Sequence, residues 1–159
     1  YAIGEYLEET YPERLLIGTT PQHKAEVRRL LAWFDDKFAR EVSLNLIFEK
    51  TLRRFMRQSA PTNSQAIRYA KANIGYHLTY ISWLIDRRKW LAGDDFSLAD
   101  IAAAAHISVV DYLGDVPWED HESAKDWYMR IKSRPSFRAI LNDRLPGIPP
   151  FPHYTELDF

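Results

Sequence analysis

The side chains that could carry acid–base, metal or nucleophilic chemistry in this chain are few, and their spacing favours none of it. Five histidines, His23, His77, His106, His121 and His153, titrate nearest neutral pH, but no pair has the spacing of a zinc-binding helix, and there is no glycine-rich phosphate loop. His106 lies inside an apolar run, where a hydrogen-bonded core histidine is expected rather than a base. His23 and His77 sit on ordinary helix faces. Ser97 and Asp100 invite a nucleophile reading, yet no base follows them and their spacing is that of a helix cap. The chain has no cysteine, which removes thiolate catalysis, disulfides and cysteine metal ligands, and is compatible with a reducing cytoplasm. These residues predict no catalytic group, no metal and no cofactor.

Chemistry suited to association is easier to find. Lys50, Arg53, Arg54 and Arg57 fall at i, i+3, i+4 and i+7, one face of a helix, with Phe55 among them. Such a face offers positive charge to an acidic partner or filament surface; it is also what a solvated helix end complementing its dipole looks like. The C-terminal stretch His153-Tyr154-Thr155-Glu156-Leu157-Asp158-Phe159 follows a stiff lead, Pro146-Gly147-Ile148-Pro149-Pro150-Phe151-Pro152. Tyr154, Leu157 and Phe159 are apolar anchors flanked by His153 and Asp158, suited to docking in a groove on a partner. The other reading packs the same side chains back on their own domain.

These groups need a frame, and the hydrophobic periodicity makes it helical. Ile3, Tyr6 and Leu7 mark a first helix, and Pro12 and Gly18 break the linker after it. Thr20 caps and Pro21 opens a stripe of Val27, Leu30, Leu31, Phe34 and Phe38 that runs on through Val42, Leu46, Phe48 and Phe55. A bend or break is expected at 41–45, where Ser43 and Asn45 weaken helix propensity. A second long helix should bury Ile67, Ala70, Ile74, Leu78, Ile81, Leu84 and Ile85. The next, over 97–113, has Ser97 as N-cap, Asp100 at N3, and Phe96 and Ile101 placed as a hydrophobic staple. Its body, Ala102 to Val110, is apolar on nearly every side, which predicts a central helix buried all round. Helices over 123–133 and from Arg134 to about Asn142 precede the proline-rich crossing. No stretch alternates with period two, so the fold class is all-α.

Composition agrees. A hydrophobic fraction of 46% and an aromatic fraction of 14% fit a packed globule, and a net charge of −1 gives no global field toward nucleic acid or a membrane. No apolar run reaches the roughly 18 residues of a membrane span. Tyr1 lies inside a helical pattern with no cap before it, so a portion is expected upstream.

Trp90-Leu91-Ala92-Gly93 and Ser97-Leu98-Ala99-Asp100-Ile101 resemble the glutathione-transferase C-terminal domain at the start of its buried central helix. Tyr6-Leu7-Glu8-Glu9-Thr10-Tyr11-Pro12 is similar to the end of the last helix of that family's thioredoxin-like half, and Arg134-Pro135-Ser136 matches the entry to its terminal helix. The resemblance implies a thioredoxin-like helix end and linker over 1–18, a helical bundle over 19–145 and an extended tail over 146–159. It also implies a homodimer through the two long helices. The half that carries the catalytic residue and most glutathione contacts lies outside these residues. The tail, Ile47-Phe48-Glu49-Lys50 and the run Asp111–Trp118 resemble a bacterial cell-division branch of the family that binds the tubulin-like GTPase FtsZ. That implies a non-enzymatic cytoplasmic protein of the division site. It would contact FtsZ through His153, Tyr154, Leu157, Asp158, Phe159 and the Lys50, Arg53, Arg54, Arg57 face. The alternative is an active glutathione transferase or isomerase, in which Trp33, Tyr69, Tyr76, Tyr80 and Trp83 could line an acceptor pocket.

Overall fold

The structure, a computed structural model, describes residues 2–56 and 61–159, and every regular element among them is helical. In chain order the α-helical segments are α1 (Ala2–Thr10), α2 (Pro21–Ala32), α3 (Leu44–Ile47), α4 (Arg53–Phe55), α5 (Ser64–Ile85), α6 (Leu98–Tyr112), α7 (Glu122–Lys132) and α8 (Pro135–Arg138).

From Pro21 to Phe55 the chain is helical without interruption, so the expected break at 41–45 does not occur. Ser43 and Leu44 keep right-handed helical dihedrals, φ −66° and ψ −42°, then φ −63° and ψ −39°. What changes is the hydrogen-bond register. Trp33–Ser43 and Phe48–Leu52 are π-helical, and at the first junction Leu44 N–H reaches back five residues to Ala39 C=O. The sequence shows why. Leu30, Phe34, Phe38, Val42 and Leu46 are spaced by four and are all fully buried. On an undistorted α-helix each four-residue step drifts by about 40°, roughly 160° over the row, which would turn Leu46 away from the core. Widened turns undo that drift and keep the row on one face. Phe55, expected to continue the stripe, is 48% exposed at the rod's end.

α5 begins at Asn63, whose side chain accepts from the N–H groups of Gln65 and Ala66, and buries Ala70, Ile74, Leu78, Ile81 and Leu84 against the rod and α7. α6 lies between the rod and α7. It is not buried all round: Ala103, Ala104, Ile107 and Val110 face the core, while Ile101 and Val109 are 37% and 39% exposed and, with Ala105, form an open apolar stripe.

The cap of α6 holds more than its own helix. Asp100, fully buried, accepts from Ser97 N–H (3.0 Å) and Ser97 Oγ–H (2.9 Å) on one oxygen. On the other it accepts from Leu91 N–H (3.0 Å) and the Trp127 indole of α7 (2.9 Å). Burial pushes the Asp100 carboxyl above its usual range, opposed by these hydrogen bonds. Phe96 packs edge-on against Trp90 and lies under the Arg134 guanidinium.

Candidate partner-binding surface

Residues 146–159 cross the surface as expected but are fastened to it. Pro146, Pro149, Pro150 and Pro152 have no N–H to donate, which leaves few places to attach the segment. Tyr112, the last residue of α6, takes them: its hydroxyl accepts from Leu145 N–H (3.0 Å) and donates to Ile148 C=O (2.7 Å). Its carbonyl accepts from Phe151 N–H at 2.9 Å. Gly114 makes room, at φ +70°, where a Cβ would lie 2.2 Å from the Phe151 ring. The chain then turns through a short 3-10 segment, Pro152–Thr155, rather than remaining extended to its end.

The tail closes over a buried polar cluster. Asp111, fully buried on α6, accepts from the Trp118 indole (2.9 Å) and from His153 Nε2–H (2.8 Å), and pairs with the fully buried Lys132 ammonium at 3.9 Å. Lys132 also donates to the His153 carbonyl at 3.3 Å. The Phe159 ring sits 4.2 Å from Lys132 Nζ, stacks on His153 at 4.8 Å and meets Trp118 edge-on. Desolvation pulls the Lys132 amine below its usual range, and Asp111 and Glu156 act against that. Tyr154 is 3% exposed, its hydroxyl 2.9 Å from Ser108 Oγ.

Of the tail residues singled out in the sequence, His153, Tyr154 and Phe159 are therefore engaged with their own domain. Leu157 is half-buried and Asp158 is exposed. The docked tail turns Phe151, Glu156 and Asp158 outward.

The basic face is not a free patch. Lys50 pairs with Asp115 at 2.5 Å, joined there by Lys71 at 2.9 Å, and Arg53 pairs with Glu49 at 3.0 Å. Arg54 donates to Gly147 C=O at 3.0 Å and so helps hold the tail's lead. The π-helical turns before Arg53 also change the angular spacing on which a single stripe depends. Arg57 lies outside the described residues.

Two of the histidines are held by hydrogen bonds between helices. His77 is fully buried rather than lying on an ordinary face: it accepts from the Trp33 indole at Nδ1 (3.0 Å), so Nε2 carries the proton and faces Glu41 at 3.0 Å. His106 lies between Ser43 Oγ (3.3 Å) and Asp35 (3.2 Å), an order of groups that resembles a hydrolytic triad, but Ser43 is buried. Trp33, Tyr80 and Trp83 form a ladder along α5, and Arg29 and Arg87 lie over its rings. No group of three or more potential metal ligands occurs among the described residues, and no helix is long and apolar enough to cross a membrane. A separate apolar cavity of about 380 Å³ opens between the end of the rod and the outer face of α6, lined by Ile47, Leu52, Phe55, Val109, Leu113 and Leu145.

Asp111, Tyr112 and Trp118 stand in the sequence only within the run that carries the resemblance, with no role assigned, and Lys132 is not singled out there. A signal existed for Lys132, which continues the stripe Ala124, Trp127, Tyr128, Ile131 of α7 and so had to be buried with a partner.

Comparison with known proteins agrees with this geometry. The family model described as "Glutathione S-transferase, C-terminal domain" matches residues 45–135. FtsZ-localized protein A of Caulobacter vibrioides is 53% identical over 158 residues, 99% of this chain and 69% of that protein. The solved structure of FzlA from C. crescentus superposes with a TM-score of 0.95 at 53% identity, covering 99% of this chain and 70% of that one. A glutathione S-transferase from Rhodospirillum rubrum F11 superposes at 0.94 with 56% identity, covering 99% and 70%. The buried cap at Asp100, the helical bundle and these alignments have one common explanation: the chain belongs to the glutathione S-transferase C-terminal domain family.

Proposed function

We propose that this chain acts as a non-enzymatic, glutathione-transferase-like protein that binds the tubulin-like GTPase FtsZ in the cytoplasm at the division site and modulates its filaments. The observation that carries this reading is the 53% identity to FtsZ-localized protein A over 158 residues, a span that includes the tail. In this reading residues 1–18 are the end of a thioredoxin-like half and its linker, 19–145 the helical domain, and 146–159 the element that meets FtsZ. The tail acts while docked. Its anchors His153, Tyr154 and Phe159 hold it in place, and Phe151, Glu156 and Asp158 face the partner. Arg54 supports the tail's base, and Lys50 and Arg53 stand beside it paired with Asp115 and Glu49.

A homodimer through the rod and α5 completes the proposal. Tyr69, Tyr76 and Trp83 are exposed along α5, more aromatic surface than a solvated helix needs. A dimer would make binding bivalent, and two weak contacts on neighbouring filament subunits gain avidity through effective concentration.

Co-sedimentation with GTP-assembled FtsZ tests this. Truncation after Tyr154 keeps the buried ring in place and is expected to abolish binding with the helical circular dichroism unchanged. Asp158→Lys should weaken binding. Undiminished binding by the truncated protein would refute the tail's role.

The apolar cavity of about 380 Å³ favours one competing reading, an active transferase or isomerase whose electrophile fills it and whose glutathione is held by the other half of the protein. Retention of the longer protein on immobilised glutathione, with turnover of a standard electrophile, would establish that reading instead.

A further inference from the structure

Docking the tail creates a notch that neither the tail nor the bundle has alone. It holds about 450 Å³ between the α6–α7 connection and the tail. Phe151, His153 and Phe159 line it from the tail, and Val116 and Trp118 line it from the connection. The three tail rings stand in series, Phe151 4.9 Å from His153 and His153 4.8 Å from Phe159. Phe151 is 46% exposed, although the segment carrying it is fixed by its N–H to Tyr112 C=O.

The rim carries charge of unequal sign. Glu119 and Glu156 line it, are exposed, and neither accepts a side-chain hydrogen bond nor forms an ion pair among the described residues. Against these two carboxylates stands one rim ammonium, Lys125, which lies over the Phe159 ring at 4.9 Å. Lys132, behind Phe159, is paired with Asp111 and also feels Glu156 through space, so it offsets only part of the rim's negative charge. Aromatic faces beside carboxylates in excess form a surface complementary to a flat cation, since ring quadrupoles and carboxylates attract it together.

We propose that this notch seats a guanidinium group, an arginine side chain presented by the protein that reads the docked tail. The inference rests on tail-mediated FtsZ binding and narrows it: the segment of FtsZ that meets the tail is a basic one. The guanidinium stacks against the exposed Phe151 ring and donates to Glu119 and Glu156. Lys125 competes with it for the same faces, and this makes the sign of the interaction testable.

The experiment is co-sedimentation with FtsZ polymers, comparing the parent chain, truncation after Tyr154, Glu119→Lys, Glu156→Lys and Lys125→Met, with melting temperatures checked for each. Glu119→Lys and Glu156→Lys should each weaken binding about fivefold, the scale of an exposed charge pair turned to repulsion. Lys125→Met, which keeps a side chain against Phe159 but removes the competing charge, should tighten binding about twofold. Loss of binding on truncation, with the two Glu variants unchanged or Lys125→Met weakened, would overturn the notch and leave the tail's role standing. Retained binding on truncation would overturn both.

Discussion

Replacing Asp100 by alanine tests whether this residue is a local cap or the joint between three parts of the fold. A solvent-facing cap is worth about 1 kcal/mol. Asp100 is different because it is fully buried and accepts from Leu91 N–H, Ser97 N–H, Ser97 Oγ–H and the Trp127 indole. Alanine leaves three buried N–H donors without a partner, and each costs roughly 1–3 kcal/mol if water cannot reach it. Part of that is offset by removing a carboxylate whose charged form is disfavoured by burial. The expected loss is about 4 kcal/mol, a large share of a typical domain's stability. At this chain length that corresponds to a fall of about 8–16 °C in Tm. Urea and thermal unfolding followed by circular dichroism measure it, and a double-mutant cycle with Trp127→Phe isolates the indole contact. Because the folded-state pKa of Asp100 is raised, its contribution is fully present below the unfolded carboxyl value of about 3.9 and lost as pH rises through the folded value. The gap between parent and variant should therefore narrow on going from acid toward neutral pH. A loss of only about 1 kcal/mol, with no coupling to Trp127, would show that Asp100 is merely a cap.

Two other substitutions probe separate parts of the fold. Glu26 accepts from Arg29 at 2.8 Å and Arg88 at 2.7 Å, and hydrogen bonding to Arg29 leads in holding its carboxyl down to about 2. That lowered pKa contributes stability above the unfolded value of about 4.3 and loses it as pH falls through 2, so Glu26→Gln should be destabilising by about 1 kcal/mol at neutral pH after solvent screening, with the difference vanishing in acid titrations monitored by circular dichroism. Gly114→Ala forces an L-residue into φ +70° and sets its Cβ 2.2 Å from Phe151, so it should cost about 1–2 kcal/mol and raise hydrogen exchange at the Phe151 amide; unchanged exchange there would mean that the clasp does not depend on this turn.

The helices were legible because each carries a local signal. The Thr20-Pro21 and Ser97-x-x-Asp100 caps and the apolar stripe of α5 can each be read within a turn or two of chain, and they formed as read except that Ile67 and Ile85, at the ends of the stripe, are only half-buried. The rod was harder. A row spaced by four reads as an α-helical stripe over short windows, and only the burial of all five members shows that the helix must unwind to keep them aligned. The tail was legible as a stiff, surface-crossing segment with apolar anchors, but local sequence left open whether they meet a partner or their own domain. Its dock is built from Asp111, Trp118 and Lys132, which come from two helices and the connection between them. Pairings across such distances leave no mark on local spacing. The pairings of the basic face were hidden for a related reason: Lys50, Arg53 and Arg54 share a stripe in sequence, but Asp115, Glu49 and the Gly147 carbonyl, which neutralise or bind them, come partly from elsewhere in the chain.

α6 uses one device twice. Asp100 and Asp111 are eleven residues apart, which on an α-helix places them within about 20° of each other, and each takes an indole N–H, from Trp127 and from Trp118. The partners then differ. Asp100 is satisfied by neutral donors on elements of the bundle itself, so releasing any of them opens the fold. Asp111 takes the bundle's Trp118 and the tail's His153 on the same oxygen, while its other oxygen has only the Lys132 ammonium 3.9 Å away, and Phe159 covers that ammonium. If the tail leaves, Asp111 and Lys132 remain a pair of opposite charge that water can solvate, and Trp118 keeps its acceptor. The first site therefore fixes the domain. The second fixes the tail at a cost of release that does not include unfolding, which is what an element that both presents a binding surface and belongs to the fold requires.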